Sequence, residues 1–69
     1  MTTIRLNGED RLIEDGTTLT QLLGGLDVPP EARGVAVAVD AEVVPRGEWP
    51  EHVLGDGAQV EVVTAIQGG

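Results

Sequence analysis

The chain has 69 residues, twelve acidic side chains against four basic ones, and a formal net charge of −8. A domain of this length buries only about 60% of the surface its unfolded chain exposes, which leaves little room for an enclosed substrate pocket. Such an acidic surface repels nucleic-acid phosphates and favours a basic protein partner, although it also serves plain solubility. All four basic residues are Arg, and Cys is absent, so there is no disulfide, no thiolate metal site and no thiol of the chain's own to carry sulfur. No apolar run approaches the roughly 18 residues of a membrane span, and no charged-then-apolar leader opens the chain. The expectation is a cytoplasmic protein with no membrane and no nucleic acid among its partners.

Residues 2–7 predict a first strand, with Ile4 and Leu6 on one face and Thr3 and Arg5 on the other. Asn7-Gly8 is a two-residue hairpin signal, because both residues tolerate positive φ. Residues 11–14 form the expected return strand, with Leu12 or Ile13 toward the core, and Asp15-Gly16 makes the next turn.

Thr17-Thr18 opens the one predicted helix. Thr18 with Gln21 three residues later matches a capping box, and Leu19, Leu22, Leu23 and Leu26 follow at helical spacing as one apolar stripe. Gly24-Gly25 weakens its last turn and Pro29-Pro30 forbids continuation. The run from Gly34 to Val39, β-branched at every second position, predicts a mostly buried strand. Asp40-Ala41 turns it into a short strand over 42–44 that Pro45 ends. Residues 46–54 read as irregular, with one helical turn around Trp49 and His52, and Gly55-Asp56-Gly57 turns into the last strand.

That strand begins at Gln59 and alternates through Val60, Val62 and Ile66 before it runs into Gly68-Gly69. Two glycines carry no Cβ, so such an end can stay extended, enter a narrow slot and present an unshielded carbonyl carbon. With 10 glycines in 69 residues, two in succession arise by chance on the order of 2% of the time. The strand that feeds them favours the functional reading over chance or an engineered ending. Gly69, with its carboxylate, is the candidate reacting residue, and Gly68 keeps the approach unhindered.

The element order β-β-α-β-β-β predicts an α+β roll. A mixed sheet of four to five strands carries one main helix on one face, and the last strand lies mid-sheet beside the first. Residues 1–65 form the domain and 66–69 a flexible reactive tail.

The remaining candidates read mostly as structure. Trp49, the sole aromatic residue, is expected to cap the core edge rather than stack on a ligand. His52 has no second His and no thiol to share a metal with, so no metal site is expected. Arg46 either ties the short strand to the acidic surface or contacts a partner. No carboxylate pair has catalytic spacing, Ser is absent, and no glycine-rich loop precedes a helix, so hydrolase and phosphate-cradle readings fail.

Four pieces together resemble the thiamine-biosynthesis sulfur carriers, the ThiS family, which share the ubiquitin-like β-grasp fold. They are the helix opening Thr18-Leu19-Thr20-Gln21-Leu22-Leu23, and Val37-Ala38-Val39-Asp40 followed by Val43-Val44-Pro45-Arg46 and Trp49. The turn Leu54-Gly55-Asp56-Gly57 and the terminus Gly68-Gly69 complete the set. Asp40, Ala58 and Gln67 are mild departures, and none touches the reacting group. The resemblance implies a carrier that is not itself an enzyme, monomeric on its own, and binds no cofactor. An E1-like adenylyltransferase, using ATP and magnesium, would convert the Gly69 carboxylate into an acyl-adenylate. A persulfide protein would supply the sulfur that leaves Gly69 as a thiocarboxylate, and thiazole synthase would receive it for the thiazole moiety of thiamine. The alternatives are the small subunit of molybdopterin synthase, which is usually longer and richer in Phe, a ubiquitin-like protein modifier, and a non-reactive β-grasp binding module. The docking surface is expected on the sheet face away from the helix, near the tail.

Overall fold

The computed structural model describes residues 1–26, 28 and 33–64. Five strands and one α-helix follow in the order β1 (Thr2–Leu6), β2 (Glu9–Ile13), α1 (Leu19–Gly25), β3 (Val35–Val39), β4 (Glu42–Val43) and β5 (Gln59–Thr64). A 3₁₀ turn at Arg46–Glu48 lies between β4 and β5. The strands form one sheet in the order β2-β1-β5-β3-β4. β1 and β5 run parallel, while β2 on β1, β3 on β5 and β4 on β3 are antiparallel. This is the β-grasp arrangement, with the last strand in the middle beside the first.

The first hairpin forms at once from its sequence. Asn7 and Gly8 take φ values of 50° and 85°, the left-handed pair that a two-residue turn needs to match strand twist. So tight a turn pairs Leu6 directly with Glu9, and the return strand therefore begins at Glu9 rather than at Arg11. Period two then puts Ile13 in the core and leaves Leu12 outside.

α1 starts where the capping box placed it. Thr18 is extended, its hydroxyl accepts from the Gln21 amide at 3.3 Å, and the Gln21 side chain accepts from the Thr18 amide at 2.9 Å. Leu19, Leu22 and Leu23 are buried against Ile4, Val37 and Val60 of the sheet, and Leu26 packs at the edge of the same cluster. The helix ends at Gly25, with Leu26 as C-cap donating its amide to the Leu23 carbonyl at 3.0 Å. Its two successive glycines stop it, since each costs about 1 kcal/mol in a helix relative to Ala. Pro29 and Pro30 lie outside the described residues.

β3 differs from the expected mostly buried strand. Val37 and Val39 are buried and Val35 is partly so, while Ala36 is exposed. The one short helix among the described residues gives apolar cover to one sheet face, so this strand follows the half-buried alternation instead. The next strand stops at Val43, although Val44 stays buried and its amide still reaches the Val37 carbonyl at 2.8 Å. The helical turn comes slightly earlier than expected, at Arg46–Glu48, with Trp49 as its C-cap.

Candidate functional site: the end of the central strand

β5 is paired on both sides. β3 accompanies it from Val60 to Thr64, and β1 pairs with it at Gln59 and Val60. Val60 is buried and Val62 partly so, facing α1, while Gln59, Glu61 and Val63 are exposed on the opposite face. Side chains from three turns add to these ladders. The Asp56 carboxylate accepts from the Thr3 amide at 2.9 Å, that of Asp40 from the Gln59 amide at 3.0 Å, and the Asn7 side-chain oxygen from the Val62 amide at 2.9 Å. The sequence marked all three positions as turns. It did not show that each turn residue reaches across to hold β1 or β5, because those bonds span 53, 19 and 55 residues.

The strand is described to Thr64, and Gly69 follows five residues later, within at most about 17 Å of extended chain. The candidate residues Gly68 and Gly69, and Ile66 with them, lie outside the described residues. So does the whole tail segment 66–69.

The face of the sheet turned away from α1 is defined by register. Val43, Ala38 and Glu61 stand in one cross-strand row, and Ala36 and Val63 in the next. Val43 is 73% exposed and Val63 59%, so two apolar side chains stand open close to the point where β5 is last described. Further along the same face Arg5 lies between Asp10 and Gln59 in register.

Trp49 caps the core edge, as expected of it. It is 3% exposed, and its indole N–H donates to the Val44 carbonyl at 2.9 Å. The Arg46 guanidinium carbon sits 4.7 Å from the centre of the Trp49 ring, a cation–π contact that ties Arg46 to the fold. His52 acts through its backbone: its carbonyl accepts from the Leu19 amide at 3.0 Å. The Trp49 carbonyl accepts from the Thr20 amide at 3.4 Å, and Thr18 covers the Gln21 amide. The donors at the start of α1 are thus taken by the protein itself, which removes the usual attraction of a helix start for phosphate.

Among the described residues no group of three or more His, Asp or Glu side chains could hold a metal ion. An open groove of about 380 Å³ runs between β2 and α1, lined by Arg11, Ile13, Glu14, Thr17 and Gln21 among others. The Thr17 hydroxyl in its lining donates to the backbone carbonyl of Glu14 rather than to a carboxylate. Among the same residues no helix is long and apolar enough to cross a membrane.

A five-stranded mixed sheet with one helix on one face, among the described residues, defines the ubiquitin-like β-grasp fold class. Comparison with known proteins narrows this class: the ThiS family model matches residues 4–69, and the chain belongs to the ThiS family. A protein named sulfur carrier protein ThiS, from Thermus thermophilus, is 45% identical over 64 residues, covering 93% of this chain and 95% of that one. A thiazole synthase of Magnetococcus marinus is 48% identical over 66 residues, which are 96% of this chain but 20% of that protein. The chain therefore spans about a fifth of the length of that thiazole synthase. The crystal structure of a thiamine biosynthesis protein (ThiS) from Geobacter metallireducens superposes with a TM-score of 0.81 at 27% identity, covering 99% of this chain and 100% of that one.

Proposed function

We infer that the chain is a sulfur carrier for formation of the thiazole moiety of thiamine, and that the Gly69 carboxylate is its reacting group. The observation that supports this best is the family match, which runs through Gly69 itself. A carboxylate is a poor electrophile, because its charge is delocalised and oxide is a bad leaving group. Activation therefore comes from outside, from an E1-like adenylyltransferase with ATP and magnesium. The carboxylate attacks the α-phosphate, pyrophosphate leaves, and the resulting acyl-adenylate has AMP as a good leaving group.

The terminal sulfur of a partner's persulfide then attacks the carbonyl carbon, and AMP departs with the bonding electrons. A thiol of the partner cleaves the sulfur–sulfur bond, becoming a disulfide, and leaves Gly69 as a thiocarboxylate. The acceptor is thiazole synthase; the match to part of a protein bearing that name supports the assignment. The carrier binds no cofactor, supplies no acid or base, works as a monomer in the cytoplasm, and contributes position. Its docking surface is the outer sheet face carrying Val43 and Val63, beside the end of β5.

The deciding experiment is the intact mass of the protein isolated from its own cells under conditions that spare thioacids. The expected result is a species heavier by one oxygen-to-sulfur exchange, confined to the C-terminal peptide. Only unmodified carboxylate, even after incubation with ATP, the adenylyltransferase and a sulfur source, would overturn the reading. Isopeptide-linked conjugates would point to a protein modifier instead.

A further inference from the structure

β5 is flanked unequally. On one side β3 pairs with it as far as Thr64, opposite Val35. On the other, the last β1 pair is Leu6 with Val60, after which the Asn7–Gly8 turn carries β1 away. Asn7 stands at that departure and holds β5 twice. Its backbone amide donates to the Val60 carbonyl at 2.9 Å, and its side-chain oxygen accepts from the Val62 amide at 2.9 Å. The side chain thus takes the place of the carbonyl that a longer β1 would have presented, and carries the grip one step closer to the tail.

The turn alone does not need this. At φ 50° glycine would serve as well as or better than asparagine. What asparagine adds is a side-chain acceptor. We propose that Asn7 is a positioning residue for the reactive tail: its side-chain oxygen fixes Val62 and so sets the direction in which β5 hands the chain to a partner. This rests on the reading of Gly69 as the reacting end. A strand end already fixed has less freedom to lose when the partner takes up the tail, so the clamp acts on capture of the carrier and not on the chemical step.

The test compares the full chain with Asn7→Gly, which suits the turn but has no acceptor, and Asn7→Asp, which keeps one. Two quantities are read well below the melting temperature, where all three are folded. These are hydrogen exchange at the Val62 amide and steady-state thiocarboxylate formation with the adenylyltransferase, ATP, magnesium and sodium sulfide. In Asn7→Gly, exchange at Val62 and the KM for the carrier should each rise roughly threefold to tenfold, the equivalent of one lost hydrogen bond, with kcat unchanged. Asn7→Asp should restore both. A general loss of stability would leave KM alone, because every molecule is still folded. The proposal is overturned if KM is unchanged in Asn7→Gly, or if Asn7→Asp behaves like the glycine variant. If the unaltered chain forms no thiocarboxylate at all, the functional reading fails and the positioning role with it, an outcome distinct from the other two.

Discussion

At the scale of single residues, strain and satisfaction sit at different positions. Ala41 holds φ at 70° beside Asp40 at 51°, in a turn where glycine is the usual second residue. An L side chain there costs roughly 1–2 kcal/mol, part of which a glycine would return as added freedom of the unfolded chain. Ala41→Gly is therefore expected to stabilise the domain by about 0.5–1 kcal/mol, read as a higher urea midpoint with an unchanged slope. Trp49 works in the opposite sense. Its ring fills the core edge and its N–H satisfies the Val44 carbonyl, so Trp49→Ala should cost about 3–5 kcal/mol. In a domain of marginal stability that loss leaves a large unfolded fraction at room temperature, visible by circular dichroism. At the other end, one methyl added by Gly69→Ala should slow thiocarboxylate formation more than it weakens docking. Equal loss of both would argue against a narrow channel in the partner.

Elements depend on one another more than on their own propensities. α1 has seven residues, too few to persist alone in water. Its start is stabilised by the capping box and by the strap at 52–54, where the Leu54 amide reaches the Thr17 carbonyl at 2.9 Å and the His52 carbonyl receives the Leu19 amide at 3.0 Å. Thr18→Ala should cost about 1 kcal/mol, measurable by chemical denaturation. The loss should fall short of additivity with Gln21→Ala, since the two side chains cap each other's amides. β5 shows the same dependence across the sheet. Its pairing comes from β1 and β3, and three turn side chains fasten the ladder's ends.

Across the whole molecule, the helix covers one face of the sheet and leaves the other open, with Val43 and Val63 standing out of it near the end of β5. Val63→Asp, on that face, should leave the fold intact, because the residue is 59% exposed and buries little. It should nonetheless weaken activation by the adenylyltransferase about tenfold or more if that face docks, since a desolvated, unpaired charge costs well over 1 kcal/mol. An unchanged rate would move the docking surface elsewhere. A chain lacking Gly68 and Gly69 should melt at the same temperature as the full chain and carry no sulfur.

Much of this was legible in the sequence because short-range rules fix it. Period two placed Ile4, Leu6 and Val60 inside. Asn7-Gly8 specified its hairpin, Thr18 with Gln21 specified the helix start, and the Gly-Gly end together with Pro45-Arg46 and Trp49 pointed to the family. Tertiary structure alone decided what depends on partners distant in the chain. Whether Ala36 faces solvent turns on which sheet face α1 covers, which pattern within β3 cannot state. That Val43 and Val63 share an open face depends on strand order and register. That Asn7 grips Val62 depends on a parallel pairing between the two ends of the chain, 55 residues apart. A hydrogen bond of that separation exists only once the sheet has closed, and no local preference encodes it.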